Sequence, residues 1–445
     1  MSGRAIVRTT LFLLPMQIVF RGGEALLPLF VAIWFGAKQD TDVYQFTWAV
    51  FNFAGSLVFS IFQDSALVPI LAEVKLTRKE SIPTVLGSIL AHTGVIGSAL
   101  SLVVGLLAMA FFSVHYQGEA WTLSMHMVPL FCVVLVAMAI KTFFYAVLNA
   151  DHHYVAQPLA SSMGVIAQLT VIATLRHRFG VLTIAMGTLA GELLAIAVLL
   201  VIAFKWVRLK IHLTLERPEP ALRFARLVAA EVGGSAVTRI NPVVDQLMAG
   251  FVGVEGALTL LRNSGDVASL PTSLLQAALL PVLLSHLSDD FAGGTLEHLR
   301  KLRATVGRAV LIVAALLVGI SILLFLVRTP LLRLVFLHGE MTAAKVDLMA
   351  HLLPYHLVGL APFGVLLVLA RAHVSMKNSG IMLGMGALNA GLNAGFNVVL
   401  MNVMGLEGIA LSTSCVQLAI AIVFWFRFEA KIERAQRAVA VQALT

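Results

Sequence analysis

Along this chain, long apolar stretches alternate with short polar ones, and the apolar stretches outrun the helices of a water-soluble core. Runs of about 20 residues or more, the length a helix needs to cross roughly 30 Å of hydrocarbon, recur from end to end, and about twelve are distinguishable. Six lie near Thr9–Phe35, Tyr44–Leu71, Val85–Val114, Leu123–Leu148, Ala156–Leu175 and Leu182–Phe204. Six more lie near Leu222–Val252, Ala257–Leu284, Val306–Val327, Leu348–Leu369, Gly380–Val403 and Gly408–Phe426. The longest polar links, Lys205–Pro220 and Ser285–Thr305, are too short for a soluble domain.

One pattern repeats. Ala66-Leu67-Val68-Pro69-Ile70-Leu71 returns as Ala278-Leu279-Leu280-Pro281-Val282-Leu283, each copy following a glutamine, Gln63 or Gln276. Gly22-Gly23 and Gly233-Gly234 echo one another upstream of the two copies. The chain is therefore expected to hold two related halves: a six-helix lobe over residues 1–210, a linker over 211–222, a second six-helix lobe over 223–430 and a tail over 431–445. Pro69 and Pro281, which withhold an N–H, and the glycine pairs, which loosen a helix, are candidates for shaping equivalent spans.

Composition agrees with the pattern. Apolar residues make up 59% and charged residues 12%, against nearly half and about a quarter in soluble domains, and mean hydropathy is +0.93. The first run lacks a small-residue cleavage site and is part of the repeat, so it is not expected to be a removable signal peptide. Cys132 and Cys415 both fall in apolar runs and imply no disulfide framework. The net charge of +8 is explained by topology rather than by nucleic acid. Arg4 and Arg8, Lys75, Arg78 and Lys79, Lys205 to Arg217, Arg300 to Arg303, Arg371 and Lys377, and Arg427 to Arg437 occupy alternate loops, which places both termini in the cytoplasm.

Charge inside the hydrocarbon is the main functional clue, since each such residue costs at least about 2.5 kcal/mol and tends to face a cavity or a partner. Span one carries Arg21 and Glu24, span two Asp64, span seven Glu231, Arg239 and Asp245, and span eight Arg262 and Asp266. Outside these four, only Lys141 and Glu192 lie at comparable depth. Because equivalent spans of the two halves carry the charges, the pattern predicts a polar cavity between the halves; local ion pairing, as Arg21 and Glu24 could form, is the plainer alternative. Asn389, Asn393 and Asn397 stack on one face of span eleven, and with Asp245 and Thr413 they offer oxygen ligands for a hard monovalent cation or, more simply, interhelical hydrogen bonds.

Enzyme chemistry finds little support. His152 and His153 have no further His or Cys at metal-ligand spacing, and the chain lacks a phosphate-binding glycine loop or a nucleophile elbow.

Trp34-Phe35-Gly36-Ala37 with Thr41-Asp42, followed by Ala66 to Glu73, resembles the opening signature of the MurJ/MviN lipid II flippases of the multidrug/oligosaccharidyl-lipid/polysaccharide exporter superfamily. Leu148-Asn149-Ala150, Leu270-Pro271 to Leu284, and Val335-Phe336-Leu337-His338-Gly339 with Thr342 continue the likeness in order. The resemblance implies an all-α polytopic membrane protein of two six-helix lobes in a V, with spans one, two, seven and eight lining a central cavity. It implies a flippase that carries a polyprenyl-diphosphate-linked saccharide from the cytoplasmic to the outer leaflet of a bacterial inner membrane by alternating access. Such a protein acts as a monomer without a cofactor, coupled to Na+ or H+. Arg21 matches the family's first cavity arginine and Asp42 its acidic residue at the end of span one. Leu27, Gly55 and Asp266 stand where further cavity arginines are found, and Asp266 reverses the sign. Family members with a sodium site use a span-seven acid, two span-eleven side chains and a span-twelve threonine, which Asp245, Asn393, Asn397 and Thr413 fit. A chain that ends soon after span twelve also suits an exporter of O-antigen or exopolysaccharide repeat units, and the acidic cavity residues suit a cation-coupled drug exporter. Within this frame the substrate-facing set is Arg21, Glu24, Asp42, Asp64, Glu231, Arg239, Arg262 and Asp266.

Overall fold

The computed structural model describes residues 26–64, 81–151, 155–227, 240–278, 295–376 and 381–442, with isolated positions between these stretches. Regular structure among them is helical throughout. The chain divides into two compact units, Met1–Ala236 and Val237–Thr445.

In the first unit, α1 (Leu26–Phe35) stops where Gly36 turns to a positive φ of 72°, a left-handed cap that a Cβ would resist. Thr41 then ties the start of α2 (Gln39–Asp64) by accepting from the Lys38 N–H at 2.8 Å. The long apolar helices α3 (Ile82–His115) and α4 (Gly118–Ala150) pack beside it. Aromatic side chains join the three: Phe46 of α2 stacks on Phe111 of α3 at 4.1 Å, and the buried Phe131 of α4 lies among Tyr44, Trp48 and Phe51.

Helices α5 (Ala156–Phe179) and α6 (Leu182–Val201) cross where Gly164 meets Gly191. A Cβ on Gly164 would stand 2.8 Å from the Gly191 carbonyl oxygen, and one on Gly191 would stand 2.6 Å from that of Gly164. Only hydrogen fits at either position, the small-residue packing by which apolar helices approach without a hydrophobic driving force. Lys141 of α4 and Glu192 of α6, the two charges outside the four polar spans, meet at 2.6 Å. Residues 208–218 leave helical structure and lie against α3, where His212 N–H donates to the Pro83 carbonyl and Ser88 Oγ donates to that of Glu216.

The second unit comprises α7 (Asn241–Gly250), α8 (Ala257–Ala278), α9 (Leu296–Phe336), α10 (Ala343–Leu357), α11 (Leu360–Ser375), α12 (Ile381–Met404) and α13 (Leu406–Gln442). Six of the described helices are long and apolar enough to cross a membrane, with α10 and α11 together a seventh. The uniform span expected near Leu348–Leu369 is instead two helices bent by 43°. Its cause is local: Gly359 N–H bonds to His356 O rather than continuing the ladder, just after Pro354. Much of α9 turns Leu311, Ile312, Leu316, Ile322, Leu323 and Leu326 outward, as a helix bathed in lipid would. Helix α13 continues past its apolar part, held by buried Phe428 and Ile432 and by Arg303–Glu429 at 2.6 Å.

Candidate functional site

Four of the predicted residues converge inside the second unit. Asp245 sits on α7, one turn past a Pro242 that starts the helix without needing an N–H partner. Asn393 and Asn397, four residues apart on α12, present both amides on one face, and both side chains are fully buried. Each Nδ2 donates to Asp245 Oδ1, at 2.8 and 2.7 Å, and Thr413 Oγ1 of α13 donates to Oδ2 at 3.3 Å. The carboxylate thus gathers three donors from two neighbouring helices, which offsets part of the cost of removing it from water. The amide oxygens of Asn393 and Asn397 have no hydrogen-bond partner although they are buried.

That imbalance bears on metal binding. An amide orientation is fixed by its partners, and turning each amide by half a rotation would exchange nitrogen for oxygen. Two amide oxygens, a carboxylate and a hydroxyl would then face one another, a set that repels itself unless a hard cation lies between. With one formal negative charge among these four groups, the donor set suits a monovalent ion. The residues therefore fit a cation of that kind.

A cavity of about 320 Å3 adjoins this cluster. Its polar wall on α8 is formed by Arg262, Asp266, Ser269 and Thr272, at spacings that repeat along one helical face. Arg262 Nε approaches Asp266 Oδ2 at 3.6 Å, an i,i+4 pair in which the arginine is one-quarter exposed and the aspartate about half. Such a pair contributes little to stability, about 0.3 to 0.5 kcal/mol, but it sets a positive and a negative group side by side at the cavity rim.

Among the lining residues that escaped the sequence pattern are Gln246, His356 and Gln417. A search for formal charge in apolar runs passes over a neutral glutamine or imidazole. The break after α10 explains part of their placement. Because Gly359 N–H turns to His356 O, the Tyr355 carbonyl is released from the helix, and Ser414 Oγ donates to it at 2.6 Å. Gly359 itself is pressed against Ser414 and Gln417, leaving no room for a Cβ.

The remaining predicted residues are not brought to this site. Asp42 is buried in the first turn of α2, in the first unit, within electrostatic reach of Tyr116. Asn389 is half-buried on α12, one turn before Asn393. Asp64 is described only as the last position of α2. Arg21, Gly22, Gly23, Glu24, Pro69, Glu231, Gly233, Gly234, Arg239 and Pro281 lie outside the described residues.

Comparison with known proteins gives a consistent pattern. The family model for lipid II flippase MurJ matches residues 31–443. A Burkholderia cenocepacia protein named lipid II flippase MurJ is 25% identical over 382 residues, covering 82% of this chain and 71% of its own. A Thermotoga maritima protein named "Probable lipid II flippase MurJ" is 25% identical over 423 residues, covering 92% and 83%. Among solved structures, a lipid II flippase MurJ in an inward closed conformation superposes with a TM-score of 0.76 at 18% identity, over 97% of this chain and 91% of the other. An inward-facing multidrug resistance transporter of the MATE family, of the MOP superfamily, gives 0.74 at 13%, over 95% and 96%. At such identities the two superpositions speak for the fold.

Proposed function

Because this chain belongs to the lipid II flippase MurJ family, we propose that it carries a polyprenyl-diphosphate-linked saccharide, lipid II or a related glycan precursor, from the cytoplasmic to the outer leaflet of a bacterial inner membrane. The observation that carries this is the family match running through both units, from residue 31 to residue 443. The chemistry of the described residues supports it. A diphosphate needs cationic donors, and Arg262 places a permanently charged fork of donors at an accessible rim. Arg21 and Arg239 are the further candidates for the same role. Asp266 beside Arg262 holds the rim pair near neutral overall.

Asp245, Asn393, Asn397 and Thr413 form the coupling site in this proposal. Na+, when bound there, would supply a charge whose gradient drives the cycle. The protein's part is to hold one carboxylate, two amides and a hydroxyl together within the second unit. Both termini are assigned to the cytoplasm from the loop charges.

The test is depletion of the protein in its host, with the leaflet distribution of the lipid-linked precursor measured by access of an impermeant labelling reagent. The proposal expects precursor to accumulate on the cytoplasmic leaflet. An unchanged distribution, with drug sensitivity instead, would transfer the protein to drug export.

A further inference from the structure

Helix α8 carries a buried amide that nothing around it satisfies. Asn263 is 1% exposed, and both its Oδ1 and its Nδ2 are buried without a hydrogen-bond partner. Among the described residues it is the only side chain with two polar atoms in that condition. Other polar groups on membrane helices of this unit find partners on their own helix. Ser264 Oγ donates to the Leu261 carbonyl at 2.9 Å, Thr272 Oγ1 to that of Ser269 at 2.8 Å, and on α12 the Asn402 amide to that of Val398 at 2.8 Å. Asn263 stands in the second turn of α8, so it caps no helix end. An amide stranded in this way costs free energy in the arrangement that buries it.

Burial around Asn263 is graded along the helix. Thr259, Asn263, Val267, Leu270 and Leu274 recur every three or four residues and share one face of α8. Thr259 and Asn263 are buried, Val267 is half-buried, and Leu270 and Leu274 are 56% and 72% exposed. This face lies about a third of a turn round the helix from the row of Arg262, Asp266, Ser269 and Thr272, so it is separate from the cavity wall. One face of a continuous helix is therefore covered toward Ala257 and open toward Ala278. On the topology assigned from the loop charges, the covered end is the outer one. A face along which a substrate crosses the membrane has to be covered at each end in turn, and an amide stranded beneath the cover gains water when the cover lifts.

We propose that the outer end of this face, around Thr259 and Asn263, is a gate, and that Asn263 keeps it from closing too firmly. The amide is unsatisfied in the covered arrangement and meets water in the open one, so the residue shifts the equilibrium toward opening. The proposal rests on the flippase function above and deepens it, because it assigns to α8 a residue that sets how readily the outer end opens without touching the substrate. Leucine at this position acts in the opposite sense, being stabilised by burial when the gate is closed and exposed to water when it is open.

The experiment uses Thr259→Cys as a reporter, because Thr259 is 0% exposed on the same face and reacts only when that end opens; Val267→Cys is the second reporter. A membrane-impermeant maleimide is applied from the outer side to cells producing the full-length chain, and the chain without an introduced cysteine gives the background from Cys132 and Cys415. Asn263→Leu and Asn263→Val are each expected to slow labelling about tenfold, the scale of one unsatisfied buried polar group, and to keep or raise the melting temperature. Asn263→Asp, nearly the same shape with a charge that resists burial, is expected to speed labelling. Faster labelling or a lower melting temperature in both apolar variants would mean that the amide is paired when covered, and would overturn the proposal. Unchanged labelling in all three, or no labelling from the outer side, would overturn it too, because the face would not then open. Transport of a fluorescent lipid-linked saccharide is measured on the same proteins. A parent that transports nothing while labelling follows the expected order would strike the flippase function and leave the gate standing.

Discussion

Asp245 shows what a single residue can reveal from sequence and what it conceals. Helix periodicity put Asn393 and Asn397 on one face, but only the resemblance to family members with a sodium site brought Asp245 and Thr413 to them. The direction of each hydrogen bond, and the orphaned amide oxygens that favour a cation, needed coordinates. Transport by Asp245→Asn is expected to lose its dependence on sodium, measured as initial rate against sodium concentration; a mutant as sodium-sensitive as the parent would remove this site from the mechanism. Lys141 and Glu192 teach the complementary lesson. Each was visible as a charge in hydrocarbon, but nothing in the sequence pairs positions on α4 and α6. Lys141→Met should leave Glu192 buried without its partner and destabilise the protein by about 3 kcal/mol, whereas adding Glu192→Leu should restore most of that. Thermal unfolding of the single and double variants measures both.

At the scale of elements, long apolar helices were legible and interruptions were not. The stretch near Leu348–Leu369 reads as one span by hydropathy, but Pro354 and the Gly359 turn divide it into α10 and α11. Sequence shows a proline and a glycine; it does not show that Ser414 will satisfy the carbonyl released by the turn. Gly359→Ala should therefore do more than stiffen the bend. Its methyl would meet Gln417 and Ser414, and the cost of overpacking, about 1 to 3 kcal/mol, is expected as a lower melting temperature together with weakened transport. The α5 and α6 crossing is the matching case in the first unit. Gly191→Leu should separate the two helices, detectable as loss of a disulfide formed between cysteines introduced on either side of the crossing.

For the molecule as a whole, repetition and polarity pattern carried most of the inference. The Ala-Leu-x-Pro repeat pointed to two halves, and alternating loop charge pointed to a polytopic topology, because duplication and membrane insertion leave periodic traces in sequence. The cavity in the second unit left none. Gln246, His356 and Gly265 stand on three helices, spaced too far apart in the chain for any local pattern to associate them. A substrate-binding set spread over many spans is assembled by packing, and its membership emerges only once the helices are placed. The central claim is that this assembly moves a glycan lipid across the bilayer. Its most direct test is reconstitution of the purified chain into vesicles with fluorescently labelled, diphosphate-linked saccharide on a polyprenyl chain, followed by quenching with a membrane-impermeant reductant. The account predicts quenching beyond the accessible leaflet, dependent on Arg262 and on a sodium gradient; protection of the inner leaflet equal to that of protein-free vesicles would contradict it.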